Sequence, residues 1–334
     1  MRMSRRSFAA ALPLLAACQQ SRAPGAEAPA ASVGWSRAPD APFAVQEIYP
    51  ALHDGAIWIA GGFAPLAALG ATRRVIAFDL AANEWREEAE LPTVSHHVHL
   101  ASLNGDLWAI GGFLGGDNRR SWICTTRVLE LDGDTWVEGP PLPKPIGEAV
   151  PLAHAGQVHL IGGRSPRGEA NAGWNDQGDV GDHFVFDGAA WRTAAPLPSP
   201  RNSAAGAVLN GQMHIISGRT VADGQTPAHH VYDPAADAWR EAAPFPEPRG
   251  GLGAALFDGA IIAGGGEIFE PGSVGDALYA YDANADAWAR SETLPTPRHG
   301  YGLIAAGDAL YALGGARRVG GDGTLASVDV FRNS

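Results

Sequence analysis

Cysteine is almost absent: the 334 residues hold two, Cys18 and Cys124. Basic residues are in deficit, with 24 Lys and Arg against 36 Asp and Glu, for a formal net charge of −12. Nucleic-acid binding needs a basic field around the phosphates, so this balance excludes nucleic acid as a partner. Beyond Ala17 no apolar run is long enough to span a bilayer as a helix. There is no nucleophile-elbow serine and no phosphate loop ending in Gly-Lys-Ser/Thr. The Gly-rich GLGAALFDG (251–259) is not followed by a helical pattern, so it is no dinucleotide fingerprint. What abounds is Gly (43) and Pro (25), beside 46% apolar residues. That combination suits many short strands joined by tight turns around a packed core.

The N-terminus stands apart. MRMSRRSFAAALPLLAAC carries Arg2, Arg5 and Arg6, then an apolar run from Phe8 to Ala17, then Cys18. The run is too short for a membrane helix and reads as a cleaved export segment, residues 1–17. SRRSF resembles a twin-arginine export signal, and LAAC (15–18) resembles a bacterial lipobox whose Cys18 becomes lipidated. Gln19 after that cysteine resembles lipoproteins sent to the outer membrane. These resemblances imply a periplasmic protein that meets the membrane through Cys18 alone. Residues 18–33, rich in Ala, Pro and Ser, read as a flexible tether. With Cys18 lipidated, Cys124 is left without a disulfide partner.

The rest of the chain is a repeat. Trp stands at 35, 85, 136, 191, 239 and 288, and Gly at 62, 112, 163, 218, 266 and 315, each Gly at position +27 from its Trp. After each Trp come a Pro-rich turn, a first strand ending in LNGD-, HAGQ- or FDGA-type hairpin residues, and a second strand ending in a Gly pair. A variable loop and a third strand with an aromatic-Asp end (IAFD, FVFD, HVYD, YAYD) lead back to the next Trp strand. Alternating apolar residues around two-residue turns are a hairpin signature. Each unit of about 50 residues is thus four antiparallel strands, too few to bury both faces alone.

This pattern of double Gly with spaced Tyr/Phe and Trp resembles the kelch repeat, one blade of a β-propeller per unit, over residues 34–334. The resemblance implies an all-β, six-bladed kelch propeller of the galactose oxidase-like superfamily, a monomer. After Gly315 only a third strand, VDVF (328–331), remains, while Trp35 opens the chain without three preceding strands. The expectation is that the Trp35 strand completes the last blade and closes the ring.

Up-and-down strand order puts the entry to strand one and the exit from strand two at one end, as a funnel. Ten residues after each Trp stand Val45, Ser95, Ile146, Arg201, Arg249 and Arg298. Twelve after stand Glu47, His97, Glu148, Ser203, Gly251 and Gly300. Directly after the Gly pairs stand Phe63, Phe113, Arg164, Arg219, Glu267 and Ala316. The reading expects an arginine row facing Glu47, His97 and Glu148, with long loops adding Trp122, Trp174, Asn175 and Asp176. The candidate ligand-binding residues are therefore Arg164, Arg201, Arg219, Arg249, Arg298, Glu267, Glu148, His97 and Trp174. Arginine forks suit carboxylates; their alternative use is to tie neighbouring blades together. Arg249 and Glu267, at one rim of the fifth unit, are the best polar pair within a single unit.

His97 and His99, two apart on a strand, share a face, and with His299 they form a candidate metal set. No Cys-containing or carboxylate-rich motif supports one, and channel lining is the favoured role; no metal and no cofactor are expected. The copper oxidases named galactose oxidase share the propeller, but their adjacent Tyr-His pair is missing here: Tyr301 follows His299 by two. A periplasmic sialic-acid mutarotase is also a six-bladed kelch protein, with Glu directly after a double Gly and an Arg shortly beyond. GGGEIFEPGSVGD keeps Glu267 but has no Arg in that loop; Arg219 or Arg249 would have to reach across from another blade or strand. The favoured function is a binding module holding a protein, glycan or small acidic sugar at the funnel. The second is a sugar isomerase or mutarotase acting on a neutral or acidic sugar. A metal-dependent oxidase comes last.

Overall fold

The computed structural model describes residues 33–65, 69–116 and 121–333. The expected export segment, Cys18 and the tether up to residue 32 lie outside the described residues. The chain is all-β, built from four-stranded antiparallel sheets. The first is Ala51–His53, Ala56–Ala60, Val75–Asp79 and Glu84–Glu88, hydrogen-bonded in chain order. The second begins at His99–Leu103, the third at Val150–His154, the fourth at Ala205–Leu209 and the fifth at Gly253–Phe257; each repeats that order. The sixth combines Gly302–Ala306, Ala309–Leu313 and Val328–Arg332 with Gly34–Ala38 from the other end of the chain. Trp35 pairs with Phe331 there, ring centroids 5.4 Å apart.

The hairpin turns follow from sequence. Asp54-Gly55, Asn104-Gly105, Asn210-Gly211 and Asp258-Gly259 all take positive φ at both positions, as a two-residue type I′ turn requires. Ala155-Gly156 does the same without the usual Asn or Asp.

The Gly at position +27 from each Trp has a different reason. All six have positive φ, and a Cβ on any of them would meet the backbone carbonyl of the segment entering strand one. The contact would be 2.8 Å at Gly62 (Gln46 O), 2.5 Å at Gly163 (Gly147 O) and 2.6 Å at Gly315 (His299 O). The end of strand two and the entry to strand one therefore touch at the backbone, which a side chain forbids.

Apolar clusters lie between neighbouring sheets. Ile57, Ile59 and Phe78 of the first sheet pack on Tyr311, Leu313 and Val330 of the sixth; Trp58 and Ala60 pack on Leu100 and Leu107 of the second. The repeat tryptophans latch one sheet to the next. Trp85, Trp136, Trp191, Trp239 and Trp288 each donate Nε1–H to a carbonyl four residues past the preceding repeat Trp: Pro39, Ala89, Pro140, Ala195 and Ala243, at 2.8–3.0 Å. Trp35 has a buried Nε1 that makes no such bond.

Candidate functional site

The inner strands neighbour one another in chain order, and Gly302–Ala306 contacts Ala51–His53. Their entry segments converge at one end. The six residues twelve after each Trp all sit at φ between 49° and 64°. Glu47, His97, Glu148 and Ser203 are not glycine, and left-handed backbone costs such residues on the order of 1 kcal/mol or more each. A chain of backbone hydrogen bonds holds them. Glu47 N–H donates to Gly300 O (2.7 Å), Gly300 N–H to Gly251 O (2.9 Å), Gly251 N–H to Ser203 O (2.9 Å) and Ser203 N–H to Glu148 O (3.2 Å). His97 N–H donates to Glu47 O (3.1 Å).

Above this chain lies a closed circuit of alternating acidic and basic side chains, one from each repeat. His97 Nε2 is 3.1 Å from Glu47 Oε2, and Glu47 Oε1 is 3.5 Å from His299 Nδ1. His299 Nε2 is 3.4 Å from Glu267 Oε2, and Glu267 Oε1 accepts from Arg219 Nη1 at 2.9 Å. Arg219 Nη2 is 3.5 Å from Glu148 Oε1, which lies 3.4 Å from His97 Nε2. Arg164 flanks Glu148 at 3.6 Å. All but Glu47 are buried, in surroundings where Coulomb terms are strong and unpaired charge is costly. Neither oxygen of Glu148 has a hydrogen-bond partner.

The protonation logic can be read from the partners. Burial would raise the Glu47 carboxyl, but His97, His299 and Arg219 outweigh it and lower it to about 2, so it is ionised at neutral pH. Burial and the neighbouring His97 push His96 well below the ordinary imidazole range. His96 is therefore neutral. Its Nε2–H donates to Ser121 O (3.0 Å), which leaves Nδ1 to accept from His97 Nδ1–H at 2.7 Å. With His97 Nδ1–H spent on His96, His97 Nε2 faces the carboxylates of Glu47 and Glu148. Burial lowers Arg219, but Glu148, Glu267 and Glu47 together raise it.

This circuit borders a cavity of about 440 Å³. Glu47, His97, Arg219 and Glu267 contribute its polar wall, while Phe63, Trp122, Trp174 and Phe269 contribute aromatic faces. Phe269 lies 4.6 Å from the Arg219 guanidinium and Trp174 lies 4.1 Å from that of Arg164, within cation–π range.

The structure brings His97, Glu148, Arg164, Arg219, Glu267 and Trp174 together. The expected arginine row does not reach them. Arg201 donates to the carbonyls of Ser217 (2.8 Å), Ser199 (2.9 Å) and Ile215 (3.0 Å). Arg298 donates to Ala312 O and Gly314 O and pairs with Asp329. Both close off strand ends inside their own sheets. Arg249 pairs with Glu247 at 3.3 Å and not with Glu267; the cross-sheet partner of Glu267 is Arg219. Asp176 accepts from Ala172 N and Gly173 N and shapes its own loop; Asn175 lends its carbonyl to Arg167. His99 turns away, its Nδ1 to Ile110 O (2.8 Å) and its Nε2 accepting Ala149 N–H (3.0 Å). Among the described residues no group of three or more His, Cys, Asp or Glu is arranged to hold a metal ion.

Sequence reasoning undervalued Glu47 and His299, and it missed Gln46 and Phe269. For Gln46 and His299 the signal lay at the position eleven after each Trp, which holds Gln46, His96, Gly147, Asn202, Gly250 and His299; Phe269 carries no comparable mark.

No family model matches the chain. Among curated proteins, Beta-scruin of Limulus polyphemus is 25% identical over 195 residues, 55% of this chain and 20% of that protein. Kelch-like protein terF of Aspergillus terreus is 25% identical over 52% of this chain and 39% of its own length. Kelch-like protein 35 of Mus musculus is 26% identical over 49% and 34%. The chain spans between one fifth and two fifths of these relatives' lengths. Among solved structures, one described as "Structure of YjhT" superposes with a TM-score of 0.72 at 17% identity, covering 87% of this chain and 96% of that one. The likeness establishes the fold.

Proposed function

We propose that this kelch-repeat, galactose oxidase-like propeller is a closed six-bladed ring, sealed by the Trp35 strand, that interconverts the anomers or isomers of a free sugar in its funnel. The observation that carries the reading is the alternating circuit of carboxylates and bases along the polar wall of a cavity with aromatic sides. Anomer exchange asks for little else. A base takes the proton of the anomeric hydroxyl while an acid protonates the ring oxygen; the bond from the anomeric carbon to that oxygen breaks, and an open-chain carbonyl results. Rotation and return of both protons close the other anomer, with no net oxidation.

Glu267 is assigned as the base and the His97 imidazolium as the acid, both on the cavity wall. Glu47 holds the His97 proton in place, and Arg219 fixes the Glu267 carboxylate from the neighbouring blade. Trp122 and Trp174 offer flat apolar faces to a sugar ring. Glu267 after its double Gly is similar to one half of the mutarotase pattern, and Arg219 of the neighbouring blade, in place of an Arg in the same loop, pairs with it; this supports the reading over a passive binding surface.

The test is polarimetry of freshly dissolved single anomers, with wild type and Glu267→Gln. Wild type accelerates anomer exchange, and Glu267→Gln loses about 100-fold or more while its circular dichroism spectrum stays unchanged. A folded variant that keeps half the wild-type rate removes Glu267 from the mechanism. A wild-type chain that binds and accelerates no sugar returns the funnel to a role in partner binding.

A further inference from the structure

The charged groups of the cavity wall are three carboxylates against Arg219 and His97. Glu47, Glu267 and Asp322 bring three carboxylates to it. Gln46 is fully buried and lines the same cavity. Its Nε2 donates to Gly321 O (3.0 Å) and Thr324 Oγ1 (2.8 Å), and since a carbonyl can only accept, the amide orientation is settled. Gln46 Oε1 is left as a buried acceptor with no partner, a state that costs about 1–3 kcal/mol unless a ligand donor meets it.

Arg219 is the one guanidinium among the described lining residues, and its edges are taken. Nε donates to Asn202 Oδ1 (3.2 Å), Nη1 to Glu267, and Nη2 faces Glu148; Phe269 covers one face. A carboxylate ligand would find no free fork on Arg219 and would lie against the carboxylates of the wall. Arg317 and Arg318 are exposed on the loop beyond Ala316, outside the cavity wall. Trp174 and Phe269 already stack on Arg164 and Arg219; the aromatic surface that they and Trp122 still present to the cavity favours a cation.

Resting on the sugar reading, we infer that the ligand of this cavity is an amino sugar, a pyranose with a free ammonium group and hydroxyl donors, and not an acidic sugar. The ammonium meets the excess carboxylate charge and the aromatic faces, and a hydroxyl or ammonium proton satisfies Gln46 Oε1.

The experiment is calorimetric titration of the full chain at about pH 6.5 with glucosamine, N-acetylglucosamine, glucose and glucuronate, with polarimetry of the same sugars alongside. Glucosamine binds at least about fivefold more tightly than glucose or N-acetylglucosamine, and glucuronate binds weakest. N-acetylation keeps the ring and removes the charge, so equal affinity for glucosamine and N-acetylglucosamine overturns the inference. Glucuronate binding first also overturns it and leaves the sugar reading standing, with Arg317 and Arg318 as the residues to examine. Tight glucosamine binding without faster anomer exchange upholds the ligand class and overturns the catalytic reading. No binding of any sugar overturns both.

Discussion

Acid should unfold this protein through two buried histidine pairs that repeat in successive sheets. His159 Nδ1 lies 2.8 Å from His183 Nε2, and His183 Nδ1 lies 3.2 Å from Ala195 O. His214 and His229 do the same at 2.9 Å, with His229 Nδ1 3.1 Å from Ala243 O. The carbonyl at the end takes an N–H, which obliges the adjoining Nε2 to accept from the other ring. A proton added at that Nε2 would face an N–H head-on. Burial, with the neighbouring imidazole, lowers His159 and His214 to about 3; burial lowers His183 and His229 to about 4.

The sign follows. Folded values below the unfolded value of about 6.5 mean that the unfolded chain binds protons first as pH falls. Stability is complete above about pH 6.5 and is lost progressively toward about pH 3. At about pH 5.5 an imidazole kept neutral by the fold costs about 1.4 kcal/mol. Allowing for partial hydration, each pair contributes about 2 kcal/mol and the two together about 4 kcal/mol, a large share of a typical 5–15 kcal/mol. Urea unfolding at about pH 7.5 and 5.5 measures it, for wild type and for His214→Gln/His229→Gln, in which amides keep hydrogen-bonding capacity and do not titrate. Because His96, His99 and His230 are also lowered, the difference between the two proteins is the relevant quantity. The double variant should lose about 2 kcal/mol less than wild type over that interval, the linkage contribution of the one pair removed. Equal losses in the two proteins would refute the reasoning.

Two further outcomes separate architecture from site. Arg298→Met strands buried carbonyls and Asp329, so it should cost about 3–5 kcal/mol in denaturant unfolding, whereas Arg249→Ala at the rim should stay within about 1 kcal/mol; the reverse order would put Arg249 inside the packing. A chain starting at Ala44 lacks the strand that pairs with Val328–Arg332 and the Pro39 carbonyl that latches Trp85. It should melt roughly 10 °C or more below wild type by circular dichroism, and an unchanged midpoint would show that the fold does not depend on this strand.

The framework was legible because it is written in local chemistry repeated six times. Trp and Gly at a constant spacing mark a latch and a backbone contact, and both needs are met within one unit and its neighbour. Asn-Gly and Asp-Gly announce turns that only positive φ satisfies. The arginine row was misjudged for a physical reason. Positions ten and twelve after each Trp straddle a residue in the entry segment, and the twelfth is in left-handed backbone, so the extended alternation that would align them breaks there. Arg201 and Arg298 consequently aim into their own sheets, toward carbonyls left open where strand two ends.

By itself the sequence determined the all-β repeat, its strand order and the end at which polar residues gather, since these depend on spacing and turn chemistry alone. Only the tertiary structure decided which charges meet. Glu47, His97, Glu148, Arg219, Glu267 and His299 are spread along the chain from 47 to 299, and each comes from a different repeat. Their pairing depends on the arrangement of six sheets side by side, a geometry that no single repeat encodes.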